Sequence, residues 1–152
     1  MTGATGHLEL PDDGDCAFCA YLDGSRPYTV LARDETVAVL VTREQRGVSH
    51  LLVVPVRHAP TILDLRDAEA NALMTWLRRA AGAIDRAERR PGIAVWQNNG
   101  AAAGQAIGHF HFHVAGTLPE GGTTFGQVPE LELDDTEGIA ERLRHADPTL
   151  LA

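Results

Sequence analysis

The sequence predicts an α+β domain built on an antiparallel sheet, and three observations carry that reading. Short β-branched and apolar runs recur at 28–32, 36–41, 50–56 and 93–97, each bounded by turn residues. A single long stretch, 67–89, places Leu73, Trp76, Leu77, Ala80 and Ile84 at helical spacing. At 108–116 the pattern returns to period two, with His109, His111 and His113 alternating with Phe110, Phe112 and Val114. Hairpin, strand, helix, strand, strand is the order of an α+β domain rather than of alternating βαβ units.

Taken in order, residues 1–14 are polar and rich in Gly and Asp, and read as a frayed terminus. Cys16-Ala17-Phe18-Cys19 opens a short segment that stops at the turn Gly24-Ser25-Arg26-Pro27. The runs 28–32 and 36–41, joined by Arg33-Asp34-Glu35, form a hairpin, and 43–47 is a charged loop. The strand 50–56 carries Pro55 near its end, where a lost N–H donor is tolerated. Pro91-Gly92 ends the long helix, with Arg78, Arg79, Asp85 and Arg86 away from its apolar stripe. Residues 98–105 form a small-residue loop before the histidine strand, and 117–135 is loop-like, with Gly and Pro throughout. A short C-terminal helix is expected over 135–145, with Thr136 as its N-cap. The expected layout is a flexible N-terminus (1–15), a domain (16–116) and a C-terminal extension (117–152) packed on or beside it.

The chain of 152 residues is long enough for one domain with a proper core, and its 44% hydrophobic and 22% charged residues are globular values. Aromatic residues are only 5%, so Ala, Leu and Val must do most of the packing. A net charge of −8 argues against nucleic-acid binding through a basic surface. It leaves room for a phosphorylated small molecule, because a local site can be cationic or amide-rich on an acidic protein. No apolar run approaches the ~18 residues of a membrane span, and no charged-then-apolar leader opens the chain. The expectation is a cytoplasmic protein that does not engage membranes.

Two cysteines in Cys-x-x-Cys are too few and too close for a disulfide framework, and suit half of a metal site. Zinc takes thiolates and imidazoles, and the partners on offer are His7, His50, His58, His109, His111, His113 and His145. Spacing does not choose among them. The competing reading is a pair of small buried hydrophobes; a redox pair lacks the strand-to-helix context it needs. In the loop 98–105, Gly100 and Gly104 allow close backbone approach, and successive amides can cradle an anion. A neutral imidazole is a competent nucleophile near pH 7 and can take a phosphoryl group covalently. Its neighbours can bind metal, orient the nucleophile or donate to phosphate oxygens. His7 and His145 lie in polar flanks. His50 reads as a structural hydrogen-bonding residue, Trp76 as core or dimer surface, and Trp96 as core.

These motifs together resemble the histidine triad (HIT) superfamily, in its zinc-containing bacterial branch. The triad stands as His109-Phe110-His111-Phe112-His113-Val114-Ala115, the preceding strand ends in Pro55-Val56-Arg57-His58, and Asn98-x-Gly100-x-x-x-Gly104-Gln105 is similar to the family's phosphate loop. Cys16-x-x-Cys19 is similar to its N-terminal metal pair. The resemblance implies a sheet of about five antiparallel strands with one long helix, paired as a homodimer. It implies His111 as nucleophile, His113 as its catalytic phosphate-binding partner, and Asn98, Gly104 and Gln105 as phosphate contacts. It further implies zinc on Cys16, Cys19, His58 and His109.

Two departures bear on activity. Thr42 stands where many members carry a ribose-binding aspartate, and Ala106 where a Ser or Thr assists the leaving group. The expected activity is cleavage of a nucleoside phosphoramidate or phosphoanhydride through a nucleotidyl-His111 intermediate. A binding module for a nucleotide or other phosphorylated ligand is the alternative that the departures motivate, and a hydrolase with metal on two triad histidines is a third.

Overall fold

The computed structural model describes residues 6–151; the first five residues of the expected frayed terminus lie outside the described part. Its elements are α1 (Ala17–Asp23), β1 (Val30–Arg33), β2 (Val37–Val41), β3 (Val48–Pro55), α2 (Asp67–Glu88), β4 (Ile93–Trp96), β5 (Phe112–Gly116) and α3 (Leu133–Ala146), with short 3-10 turns between some of them. The five strands form one antiparallel sheet in the order β1-β2-β3-β5-β4. The expected α+β class and strand count are both observed.

Strands β2 and β3 read as continuous apolar runs because the sheet is covered on both faces. Side chains alternate: Val37, Val39, Val41, Leu51 and Val53 pack with Leu73, Trp76, Leu77, Ala80 and Ile84 of α2 and with Ile139, Ala140 and Leu143 of α3. Ala38, Leu40, Leu52 and Val54 take the other face, under Phe18 of α1. Register then sorts the histidine segment. Leu52 pairs with His113 and Val53 with Phe112, so the imidazoles share the α1 face while Phe110 and Val114 join the helix-side core.

The helix α2 starts where the Glu69 carboxylate accepts the Arg66 N–H at 2.9 Å, and stops at Arg89, in a left-handed conformation, two residues before Pro91. The C-terminal helix begins two residues earlier than expected, with Glu132 at its cap, and Thr136 is not the N-cap. Thr136 is fully buried and donates to the Leu133 carbonyl at 3.0 Å. Its one proton is thereby spent, so the Thr29 hydroxyl donates to it across 2.7 Å and ties α3 to the chain entering β1.

Part of the segment expected to fray is also held. The Glu9 carbonyl accepts the Ala101 N–H at 2.7 Å, and the Asp13 carboxylate accepts the Gly108 N–H at 3.1 Å. Both contacts lie on the loop before the histidines. No described helix is long and apolar enough to cross a membrane.

Candidate functional site

The three histidines are not all in the sheet. Only His113 belongs to β5; His109 and His111 lie in the extended segment leading into it, anchored by the Phe110 N–H on the Ala59 carbonyl at 2.7 Å. Freed from the ladder, the segment bends enough to give each ring a different partner.

His109 is fully buried, and its Nε2 is 2.8 Å from the Pro55 carbonyl. A carbonyl only accepts, so Nε2 carries the proton and Nδ1 keeps its lone pair. Around Nδ1 lie Cys16 Sγ at 3.3 Å, Cys19 Sγ at 3.7 Å and His58 Nδ1 at 3.2 Å; Cys19 Sγ is 3.5 Å from His58 Nδ1. All four donor atoms lie within 4.8 Å of one another. Zn–S and Zn–N bonds of about 2.3 and 2.1 Å in a tetrahedron give ligand–ligand edges of roughly 3.3–3.8 Å. These residues therefore fit a metal ion in both chemistry and spacing. Burial, with Cys16 adding to it, pushes the Cys19 thiol up to about 11. The short helix α1, closed by Gly24 in the left-handed region, presents both cysteines while Phe18 inserts beside the histidines, its ring 5.0 Å from that of His111.

His111 points its Nδ1 at the His109 carbonyl, 2.7 Å away. The same argument puts the proton on Nδ1 and leaves Nε2 unprotonated. Burial holds this imidazole below its ordinary range. His113 Nδ1 lies 3.0 Å from His50 Nε2, and His50 Nδ1 accepts the Arg46 backbone N–H at 3.1 Å. A backbone amide only donates, so His50 carries its proton on Nε2 and gives it to His113, whose own proton must sit on Nε2. Burial, reinforced by the Arg46 charge, lowers His50 to about 3. Burial and the neighbouring imidazoles lower His113 to about 2, so both rings are neutral. Trp96 stacks flat on His113, ring centroids 4.8 Å apart at 3°. It is half-exposed on the edge strand β4 rather than core.

The two differently protonated rings face a cavity of about 490 Å³. Asn98, Gly104 and Ala106 line it; Gly104, at φ +93°, holds a conformation that suits glycine alone. Gln105 does not line it. Its amide accepts the Gly100 N–H at 2.7 Å and donates to the Pro60 and Ile107 carbonyls, so the side chain braces the loop from behind. The rest of the wall went unread in the sequence: Tyr21, Arg26, Tyr28, Arg43, Glu44 and Arg46, with Gln127 and Glu130 from the C-terminal segment. That segment is strapped to the charged loop. Thr124 and Leu131 donate their N–H to the Arg46 and Arg43 carbonyls, and the two guanidinium groups reach back to the Gly126 and Leu131 carbonyls.

A family model described as the HIT domain matches residues 23–119. The chain belongs to the HIT family. Among its relatives, the Protein hit of Bacillus subtilis is 31% identical over 80% of this chain and 83% of its own length. The adenosine 5'-monophosphoramidase hnt1 of Schizosaccharomyces pombe is 28% identical over 65% of this chain and 71% of its own. A HIT-like protein of Bartonella henselae has the same fold, with a TM-score of 0.81 over 90% of this chain and 99% of its own, at 23% identity. In this HIT protein the triad thus divides its labour: His109 turns to the cysteines, and His111 and His113 turn to the cavity.

Proposed function

We propose that this HIT protein cleaves a nucleoside 5'-phosphoramidate or phosphoanhydride, with His111 as nucleophile. The observation that carries the reading is the pairing of an unprotonated Nε2 on His111 with an Nε2–H on His113 at one cavity wall. His111 Nε2 attacks the α-phosphorus, a P–N(His) bond forms, and the bond to the leaving amine or phosphate breaks with its electron pair. The leaving group takes a proton from water. The His113 N–H and the Asn98–Gly104 loop stabilise the phosphoryl oxygens, and a second water then displaces His111. The relative named as an adenosine 5'-monophosphoramidase supports the substrate class.

Cys16, Cys19, His58 and His109 would hold zinc, which supplies a structural cross-link between α1 and the triad segment when bound. The proposed layout keeps residues 16–116 as the HIT domain and 117–152 as an extension. The protein is taken to be cytoplasmic and to act as a homodimer. The outer edge of β4 is unpaired among the described residues, with Ile93 and Val95 exposed, and suits a second copy.

The test is turnover of adenosine 5'-phosphoramidate by wild type and His111→Asn. AMP release by wild type alone supports the reading, and equal rates refute it. Thr42 and Ala106 favour one alternative, a phosphorylated-ligand binding module; tight nucleotide binding without turnover would select it.

A further inference from the structure

Part of the cavity wall is built from hydroxyl and guanidinium groups, and their bonding states what they can accept. Tyr28 Oη accepts the Arg43 N–H at 3.2 Å, and Thr42 Oγ1 accepts the Glu44 N–H at 3.1 Å. Each hydroxyl has spent one of its two lone pairs on a backbone amide, and the two hydroxyls bond each other, so one proton of the pair is used between them and the other is left for a ligand. Burial raises the Tyr28 phenol, so it remains a donor. A vicinal diol, whose two O–H groups are best met by a carboxylate, finds none in these two side chains, whereas an anion gains from the O–H donor that remains.

The wall does hold two carboxylates, but both are engaged: Glu44 by Arg46 at 3.2 Å and Glu130 by Arg43 at 3.1 Å. Arg26 is different. It has no carboxylate partner among the described residues and lies over the Tyr21 ring at 5.3 Å. Tyr21 in turn stacks face to face on Tyr28 at 3.8 Å and 5°, so the guanidinium caps the far side of this stack while lining the same cavity. The lining therefore carries three arginines against two glutamates on a chain whose net charge is −8.

We propose that Tyr28, Thr42 and Arg26 form a second anion-binding wall, and that the preferred substrate carries a second phosphate, remote from the scissile one, in place of a bare ribose diol. This rests on the reading of the cavity as a nucleotide site. It deepens that reading by naming the ligand: a nucleotide phosphorylated on its ribose as well as at its 5' end. The donor left on the Thr42–Tyr28 pair meets a phosphate oxygen, and Arg26, from the far side of the tyrosine stack, supplies the opposing charge.

The experiment is titration calorimetry of the zinc-loaded protein with AMP, 2'-deoxy-AMP, and adenosine 2',5'- and 3',5'-bisphosphates. AMP and its deoxy form are expected to bind within about threefold of each other, and one bisphosphate about tenfold tighter than AMP. Arg26→Gln, a change at an exposed position, is expected to remove that gain. Thr42→Asp, checked for folding by thermal denaturation, should invert the order: AMP about tenfold tighter than deoxy-AMP, and the bisphosphates weaker than both. Nucleotide binding with no bisphosphate gain, or wild-type preference for AMP over deoxy-AMP by tenfold, overturns this proposal and leaves the enzymatic reading standing. Failure of every adenosine nucleotide to bind overturns both.

Discussion

Replacing His50 tests whether a residue that touches no substrate sets the protonation pattern of the site. His50 is 1% exposed and bridges the Arg46 N–H and His113 Nδ1. In His50→Ala both partners lose their bond inside the protein. Unpaired buried polar groups cost about 1–3 kcal/mol each, and the vacated ring adds a cavity, so the loss of stability should be about 3–5 kcal/mol. The kinetic effect is separate. Without the His50 donor, His113 is free to carry its proton on Nδ1, and the donor aimed at the phosphoryl group is lost for part of the population. Removing such a donor outright costs roughly 10²–10³ in rate, but the correct tautomer is retained in part of the population, which limits the expected fall in kcat to about tenfold. His50→Gln places an amide N–H near the position of Nε2 and should restore kcat to within about twofold of wild type. The assay is kcat and KM for adenosine 5'-phosphoramidate, with urea denaturation alongside. A folded His50→Ala protein with wild-type kcat would refute the tautomer argument.

Three further predictions follow from the same geometry. Stripping the metal with a chelator should lower Tm by about 10 °C, as expected for a ligand held far above its Kd, and one equivalent of zinc should restore it; an unchanged Tm with the protein verified metal-free would remove the cross-link from the account. Because His50 and His113 are held far below 6.5, the unfolded chain binds protons that the folded one refuses as pH falls below 6.5. Stability should therefore be level above that pH and drop beneath it by about 1.4 kcal/mol per pH unit for each ring, and equal urea midpoints at pH 7.5 and 5.5 would contradict neutral rings. Ala106→Ser should place a hydroxyl on the cavity wall and raise kcat about tenfold for alkylamine leaving groups, while leaving good leaving groups unaffected; a uniform change across leaving groups would assign the hydroxyl another role.

What the sequence made legible was whatever depended on periodicity. Leu73, Trp76, Leu77, Ala80 and Ile84 do form the buried stripe of α2, and alternation did place His109, His111 and His113 on the face opposite Phe110 and Val114. The grouping of Cys16, Cys19, His58 and His109 came from family resemblance, since nothing in their spacing brings together residues up to 93 positions apart. Polar contacts between distant loops left no such trace. His50 looked structural because its partner, His113, is set by strand register rather than by sequence separation. Thr136 fits an N-cap pattern as well as any threonine, and only the packing of α3 against Thr29 moved it into the helix. Gln105 follows the glycine of the phosphate loop and reads as a ligand contact, yet its amide meets three backbone groups of the chain itself. Arg43 and Arg46 read as a solvated loop because the segment they clasp, near Gly126 and Leu131, lies about eighty residues further on.

The central claim is that His111 Nε2 becomes covalently bound to phosphorus, and base-quenched mass spectrometry during turnover tests it most directly. The account predicts a nucleotidyl adduct that maps to His111, forms at a rate no slower than kcat and is absent from His111→Asn. Steady turnover with no adduct at any quench time, or an adduct mapped to His113, would contradict it.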